Sequence, residues 1–269
     1  MTTVPYSEAE IDRLAHLIFA EFGREMCRWS PAGEALDVGG GLLGATAHPF
    51  PFLLNALVRL DDDADPERLI ALADRFFTER GRGFTVPARA GIDDDLAQAA
   101  EAAGLQQFGD SPEMICYQRL EEAEPPPGVE LHPVTDAAGV ADFIHVATKS
   151  FATLGEPEDV LPTVLECPER LLEPHIATVV ATVDGVPTAT ALTHLAYGIA
   201  AVEWVGTLEA GRGKGLGELV TRWVTNAGFD LGAQAQTLEA SPMGEPVYAR
   251  MGYEERYRYA WWVRWEAPS

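Results

Sequence analysis

Residues 212 to 217 read Arg-Gly-Lys-Gly-Leu-Gly, and they constrain the fold of this chain more than any other segment. A strand-like run, Ile199 to Thr207, precedes them. A helix-like run follows, in which Leu216, Leu219, Val220, Trp223, Val224, Ala227 and Leu231 recur at helical spacing. A strand, a glycine-rich turn and a helix N-terminus together make an anion site. Glycines let backbone N–H groups approach a phosphate, and the helix dipole favours negative charge there. The segment is therefore expected to hold a phosphate-bearing cofactor.

Two common phosphate loops do not fit. A nucleotide triphosphate loop needs Ser or Thr after its lysine, and Lys214 is followed by Gly215. A dinucleotide loop needs Gly-x-Gly-x-x-Gly, and Gly213, Gly215 and Gly217 are spaced differently. The pattern Arg/Gln-x-x-Gly-x-Gly/Ala is met by Arg212, Gly215 and Gly217. Further on, Thr237 to Ser241 reads as a strand and Pro246 opens a short helix carrying Val247, Tyr248 and Met251. That helix stops at Gly252, and Tyr253 to Trp265 reads as a closing strand.

The glycine loop, followed at this spacing by Val247-Tyr-Ala-Arg-Met-Gly-Tyr253, resembles the GNAT superfamily of N-acetyltransferases over roughly residues 129 to 265. The resemblance implies an α/β (α+β) fold, a mixed and centrally antiparallel sheet flanked by helices. It implies acetyl-CoA as cofactor, held by Val205, Gly206 and Thr207 on the strand and by Arg212, Gly213, Lys214, Gly215, Leu216 and Gly217 in the loop. Ser241 and Tyr248 complete that set. Tyr248 matches the tyrosine that protonates the departing thiolate. Glu203, on the strand before the loop, stands where some members carry the general base. Alternation along that strand predicts Glu203, Val205 and Thr207 on one face and Trp204 on the other.

A boundary is readable at Glu121 to Gly128, a charged and proline-rich stretch. It divides a first domain, residues 1–124, from a second, residues 129–269. After it come a strand, Val129 to Pro133, a helix carrying Val140, Phe143, Ile144 and Ala147, and a second helix near Glu156 to Leu165. Ile176 to Val183 and Pro187 to Leu195 are apolar runs joined by Asp184-Gly185, a hairpin turn. In the first domain, helices are expected from Ser7, from Asp65-Pro66 and over Asp94 to Ala103, with a strand at Met114 to Leu120. Helix, Gly104-Leu105 and strand echo the helix, Gly252-Tyr253 and strand of the second domain. The first domain is thus expected to be a degenerate copy of the second, in tandem. Where the second offers Arg212 and Lys214, the first offers Asp61-Asp62-Asp63-Ala-Asp65, which would repel a pyrophosphate. One cofactor site per chain follows. Gly39, Gly41 and Gly44 give Gly-x-Gly-x-x-Gly and resemble the first motif of adenosylmethionine-dependent methyltransferases, but Pro49 and Pro51 oppose the helix that reading needs. A bent strand or turn is expected there.

The formal net charge of −23 opposes nucleic acid and anionic membranes and suits a cationic substrate, a small or peptidic amine. Cys27, Cys116 and Cys167 suit neither a disulfide framework nor a zinc site. With a polar, acidic N-terminus and no apolar run of membrane-spanning length, a cytoplasmic protein without a metal is expected. His132, His145, His175 and His194 are read as structural. The first domain is expected to shape the acceptor cleft or to mediate a homodimer. Two functions remain open: direct acetyl transfer from acetyl-CoA to a primary amine, and a non-catalytic acyl-CoA sensor.

Overall fold

A computed structural model describes residues 6–52 and 54–266. The chain forms two compact units, and neither is one run of sequence. One comprises Phe19–Glu113, Thr163–Glu166 and the residues from Glu255 on. The other, which bears the glycine loop, comprises the residues up to Ile18, Met114–Pro162 and Cys167–Glu254. Membership changes within the first helix, within the strand that ends at Cys116 and after Glu254, rather than at the proline-rich segment.

The first helix, α1 (Glu8–Arg28), opens on a capping box. Ser7 N–H donates to the Glu10 carboxylate at 2.8 Å and Glu10 N–H donates to Ser7 Oγ at 3.3 Å. In the unit without the glycine loop, β1 (Glu34–Asp37), β2 (Gly41–Ala45) and β3 (Asn55–Arg59) form an antiparallel meander. Gly39 and Gly40, at φ 67° and 88°, make the turn into β2, so the glycine cluster feeds a strand and lacks the helix a nucleotide site needs. Then come α2 (Pro66–Thr78), β4 (Phe84–Arg89), α3 (Asp94–Ala102) and β5 (Gln106–Cys116). Asp65 caps α2 through the N–H of Arg68. β5 starts well before the expected Met114 and stops short of Leu120. β4 pairs with β3 in parallel at Ala56–Thr85, and it pairs antiparallel with the chain's final strand, Glu254–Arg264.

Two arginines end the parallel pair in this unit. Arg59 and Arg89 are 3% and 4% exposed, and Asp93 is fully buried between them. Arg89 binds Asp93 at 2.7 Å and Asp62 at 2.6 Å, while Arg59 binds Asp95 at 2.7 Å and the carbonyls of Asp61 and Ala64. In the acidic turn after β3, the Asp62 carboxylate is therefore taken by Arg89, and backbone carbonyls of the turn are taken by Arg59.

The loop-bearing unit repeats the order. β6 (Val129–Pro133), α4 (Ala137–Ala152), α5 (Val160–Val164), β7 (Ile176–Val183), β8 (Val186–Ala196) and β9 (Ile199–Thr207) precede the glycine loop. α6 (Leu216–Asp230), β10 (Gln236–Glu239) and α7 (Glu245–Met251) follow it, and the chain's final strand, β11 (Glu254–Arg264), belongs from Glu255 on to the other unit. α5 is one turn, not the helix expected over 156 to 165. β6 to β9 are antiparallel neighbours and β10 runs parallel to β9. Asp184 and Gly185, at φ 50° and 80°, form the hairpin turn. One face of this sheet is sealed by Leu216, Val220 and Val224 of α6 against Val179, Ala191 and Val202. Gly206 meets α4 while Thr207 meets α6, so the two helices lie on opposite faces. Burying about six such side chains contributes on the order of 10 kcal/mol to the unit.

The run β9, loop, α6, β10, α7 mirrors β3, turn, α2, β4, α3. Both are mixed sheets flanked by helices, as the tandem reading predicts. Among the described residues no helix is long and apolar enough to cross a membrane.

Candidate active site

The site begins where β9 and β10 part. Their parallel pairing is recorded at Gln236–Ala200 and Thr237–Ala201. Buried Gln236 anchors it, donating from Nε2 to the Thr225 carbonyl on α6 at 2.9 Å. Beyond that point β9 carries a bulge. Gly206 pairs with Thr190 and Glu203 with Leu192, so two residues, Trp204 and Val205, oppose Ala191 alone. Trp204 pays for this with φ 52°, a conformation rare outside glycine, and packs on Phe151 of α4 at 4.9 Å.

The bulge corrects the expected alternation. Val202 and Val205 both pack on the α6 side, so Glu203 and Val205 point to different faces. Gly206 turns to α4, where a Cβ would meet Ser150, and Thr207 Oγ1 lies 3.4 Å from a Cβ placed on Gly217.

The loop supplies the anion end. Gly213 and Gly215 take φ 74° and 76°, which needs glycine, and a Cβ on either would meet nothing within 4 Å. Gly215 caps α6, so the N–H groups of its first turn have no acceptor within the helix. Arg212 is exposed and tethers the loop to α4, donating to Thr153 Oγ1. Lys214 is exposed beside it.

Val205, Gly206, Thr207, Arg212, Gly213, Gly215, Leu216, Gly217, Ser241 and Tyr248 all line one cleft of about 500 Å³. Lys214, which is exposed, and Glu203 on β9 are outside that lining. Cys167 and the four histidines are also outside it. His175 and His194 do meet edge to face at 5.3 Å, but at the β7 and β8 ends remote in sequence register from Gly206.

Tyr248 is half-buried. Burial pushes its phenol up to about 12, a hydrogen bond with Thr221 of α6 pulls it down, and the nearby Glu203 carboxylate raises it again. Gly244 makes room for the ring, since a Cβ there would lie 2.6 Å from Tyr248 Cε2. Ser241 Oγ accepts the N–H of Gly244 at 3.2 Å and fixes that turn. Burial also pushes the Glu203 carboxyl well above the carboxylate range, and Glu239 at the end of β10 adds like-charge repulsion. Thr221, Gly244 and Glu239 escaped the sequence reading. Glu239 carries the one signal that could have found it, an acid ending the strand that faces β9.

The sequence matches no family model and no curated protein. The fold has many solved neighbours. It is similar to a GCN5-related N-acetyltransferase from Kribbella flavida, at TM-score 0.72 and 22% identity over 95% of this chain and 96% of that one. A GCN5-related N-acetyltransferase from Sphaerobacter thermophilus gives 0.64 and 15% over 96% and 92%. A tandem GNAT protein from the clavulanic acid biosynthesis pathway gives 0.59 and 16% over 93% and 88%. Such coverage spans both units, and the chain therefore has the GCN5-related N-acetyltransferase fold in its tandem form.

Proposed function

We propose that the protein is an N-acetyltransferase that moves an acetyl group from acetyl-CoA to a primary amine by direct transfer in a ternary complex. One observation carries the reading: a single cleft joins a glycine loop at a helix N-terminus, a bulged strand and a protonated phenol. The residues fit the coenzyme. The first-turn N–H groups of α6 and the cations Arg212 and Lys214 suit its pyrophosphate, and the open backbone of Gly213 and Gly215 leaves room for close approach. Bound acetyl-CoA would supply the acyl group as an activated thioester.

The chain's own groups supply the rest. The bulge at Trp204–Val205 takes backbone out of the strand ladder and offers an N–H to a polarised carbonyl. Glu203 is the carboxylate near the phenol and receives the amine's proton, directly or through water, with Glu239 as its like-charged neighbour. A phenol near 12 stays protonated at neutral pH, so Tyr248 is always loaded as a donor. Full proton transfer to a thiolate with a conjugate acid near 8.5 is uphill by several kcal/mol, so its largest contribution is a hydrogen bond to the sulfur as charge develops. The acidic chain favours a cationic acceptor, a small or peptidic amine.

The test is calorimetric titration with CoA, acetyl-CoA and adenosylmethionine, then a thiol-release screen over polyamines, aminoglycosides, amino acids and peptide N-termini. CoA binding with amine-dependent thiol release is expected. CoA binding without turnover on any amine would make the protein an acyl-CoA sensor, and binding of adenosylmethionine alone would return the question to Gly39–Gly44.

A further inference from the structure

Ser150 sits near the end of α4, on the wall of the cleft, and is 4% exposed. Its Oγ has no hydrogen-bond partner. Buried hydroxyls in folded chains almost always have one, so this group calls for an explanation. Its surroundings are otherwise well tied. Thr153 Oγ1 donates to the Ser150 carbonyl at 2.7 Å and accepts from Arg212, which links the end of α4 to the glycine loop. The backbone is held and the hydroxyl is left over.

Gly206 shows why that hydroxyl matters. Its φ is not left-handed, so the backbone conformation does not require glycine there. Space does. A Cβ on Gly206 would lie 3.0 Å from Ser150 Cβ and 3.1 Å from Ser150 Oγ. The missing side chain brings the serine hydroxyl against the strand one residue past the bulge, where a regular ladder would not leave a backbone N–H for a ligand and a bulge can. A backbone donor and a hydroxyl donor on one wall suit a carbonyl oxygen that gains charge.

We infer that the Ser150 hydroxyl donates a hydrogen bond to the acyl oxygen of a bound acyl thioester, so that the site tells acyl-CoA from free CoA. This rests on the proposed function. Arg212 reaches this end of α4 through Thr153, so the probes must separate an acyl oxygen from the pyrophosphate, which free CoA carries as well.

The experiment compares wild type with Ser150→Ala by calorimetry against three probes: CoA, acetyl-CoA and S-ethyl-CoA, a thioether with no acyl oxygen. The substitution should weaken acetyl-CoA by roughly three- to tenfold, the range of a single neutral hydrogen bond, and leave CoA and S-ethyl-CoA unchanged. It should not lower Tm, because it removes a hydroxyl that has no partner in the free protein. Equal effects on all three probes, or no effect on any, would overturn the assignment and leave Ser150 a packing residue. Wild-type protein that binds none of the three would overturn the coenzyme reading and this assignment with it.

Discussion

Glu239 ends β10 as the like-charged neighbour of Glu203 on β9, just beyond the pairing of Thr237 with Ala201. Repulsion and burial both favour the protonated Glu203 carboxyl. A base is active when deprotonated, so kcat/KM should rise with pH through the raised Glu203 pKa. Glu239→Gln removes the repulsion and should move that limb to lower pH. Glu203→Gln should cost roughly 10²- to 10⁴-fold in kcat. An acid limb that ignores Glu239→Gln would remove Glu239 from the site.

The same pair predicts a stability effect of definite sign. A carboxyl whose folded pKa is raised contributes stability in full below its unfolded pKa and loses it as pH rises through the folded one. Glu203→Gln stays neutral throughout. Its Tm should therefore exceed wild type at about pH 8 and match it at about pH 4, within the range over which a buried carboxyl titrates. Parallel Tm profiles for the two proteins would contradict the burial of Glu203 as a charge.

Tyr248→Phe removes the phenol and keeps the ring in the space Gly244 leaves for it. Thr221 loses a partner, but the ring contact with Tyr253 at 6.1 Å survives. Expected is a fall in kcat of roughly 10²-fold with little change in CoA affinity. With the phenol near 12, wild type should show no alkaline loss of rate from this group below about pH 10. An unchanged kcat would show that the thiolate is protonated by water.

Gly215 and Gly206 are both glycines of the cleft, for different reasons, and alanine should separate them. At Gly215 nothing crowds a Cβ, so the cost is left-handed backbone alone, about 1–2 kcal/mol. At Gly206 the φ is ordinary and the cost is a collision with Ser150, about 1–3 kcal/mol of overpacking. Stability would then respond similarly, whereas Gly215→Ala should weaken CoA and acetyl-CoA alike and Gly206→Ala, which displaces the serine hydroxyl, should weaken acetyl-CoA more than CoA. Chemical denaturation and calorimetry of both variants would settle the contrast.

What the sequence disclosed was local. Asp184-Gly185, Gly252 after α7 and Gly213 to Gly217 before α6 announce themselves because backbone conformations with positive φ select residue types. The bulge at Trp204 does not, since a tryptophan at φ 52° is held by its packing on Phe151 and not by its own preference. Strand partners are equally silent. β11 reads as a closing strand, yet nothing in Tyr257, Tyr259 or Trp261 says that it pairs with β4. Glu239 was missed for a related reason: its interest lies in a neighbour distant along the chain.

Asp93 offers a test of why only one half of the chain is expected to bind coenzyme. It is fully buried and serves Arg89 at 2.7 Å and Arg59 at 3.6 Å, closing the unit whose acidic turn replaces a glycine loop. Removing one partner of a buried ion pair leaves an uncompensated charge and costs about 3–5 kcal/mol. Asp93→Ala should lower the urea midpoint accordingly, because Arg59 keeps Asp95 whereas Arg89 loses its buried partner and keeps the exposed Asp62. Coenzyme stoichiometry should be one per chain in wild type, since Asp61, Asp62, Asp63 and Asp65 stand where an anion would have to enter. Two equivalents of CoA bound to wild type would show that the arginine–aspartate cluster is an open site and not a substitute for a ligand.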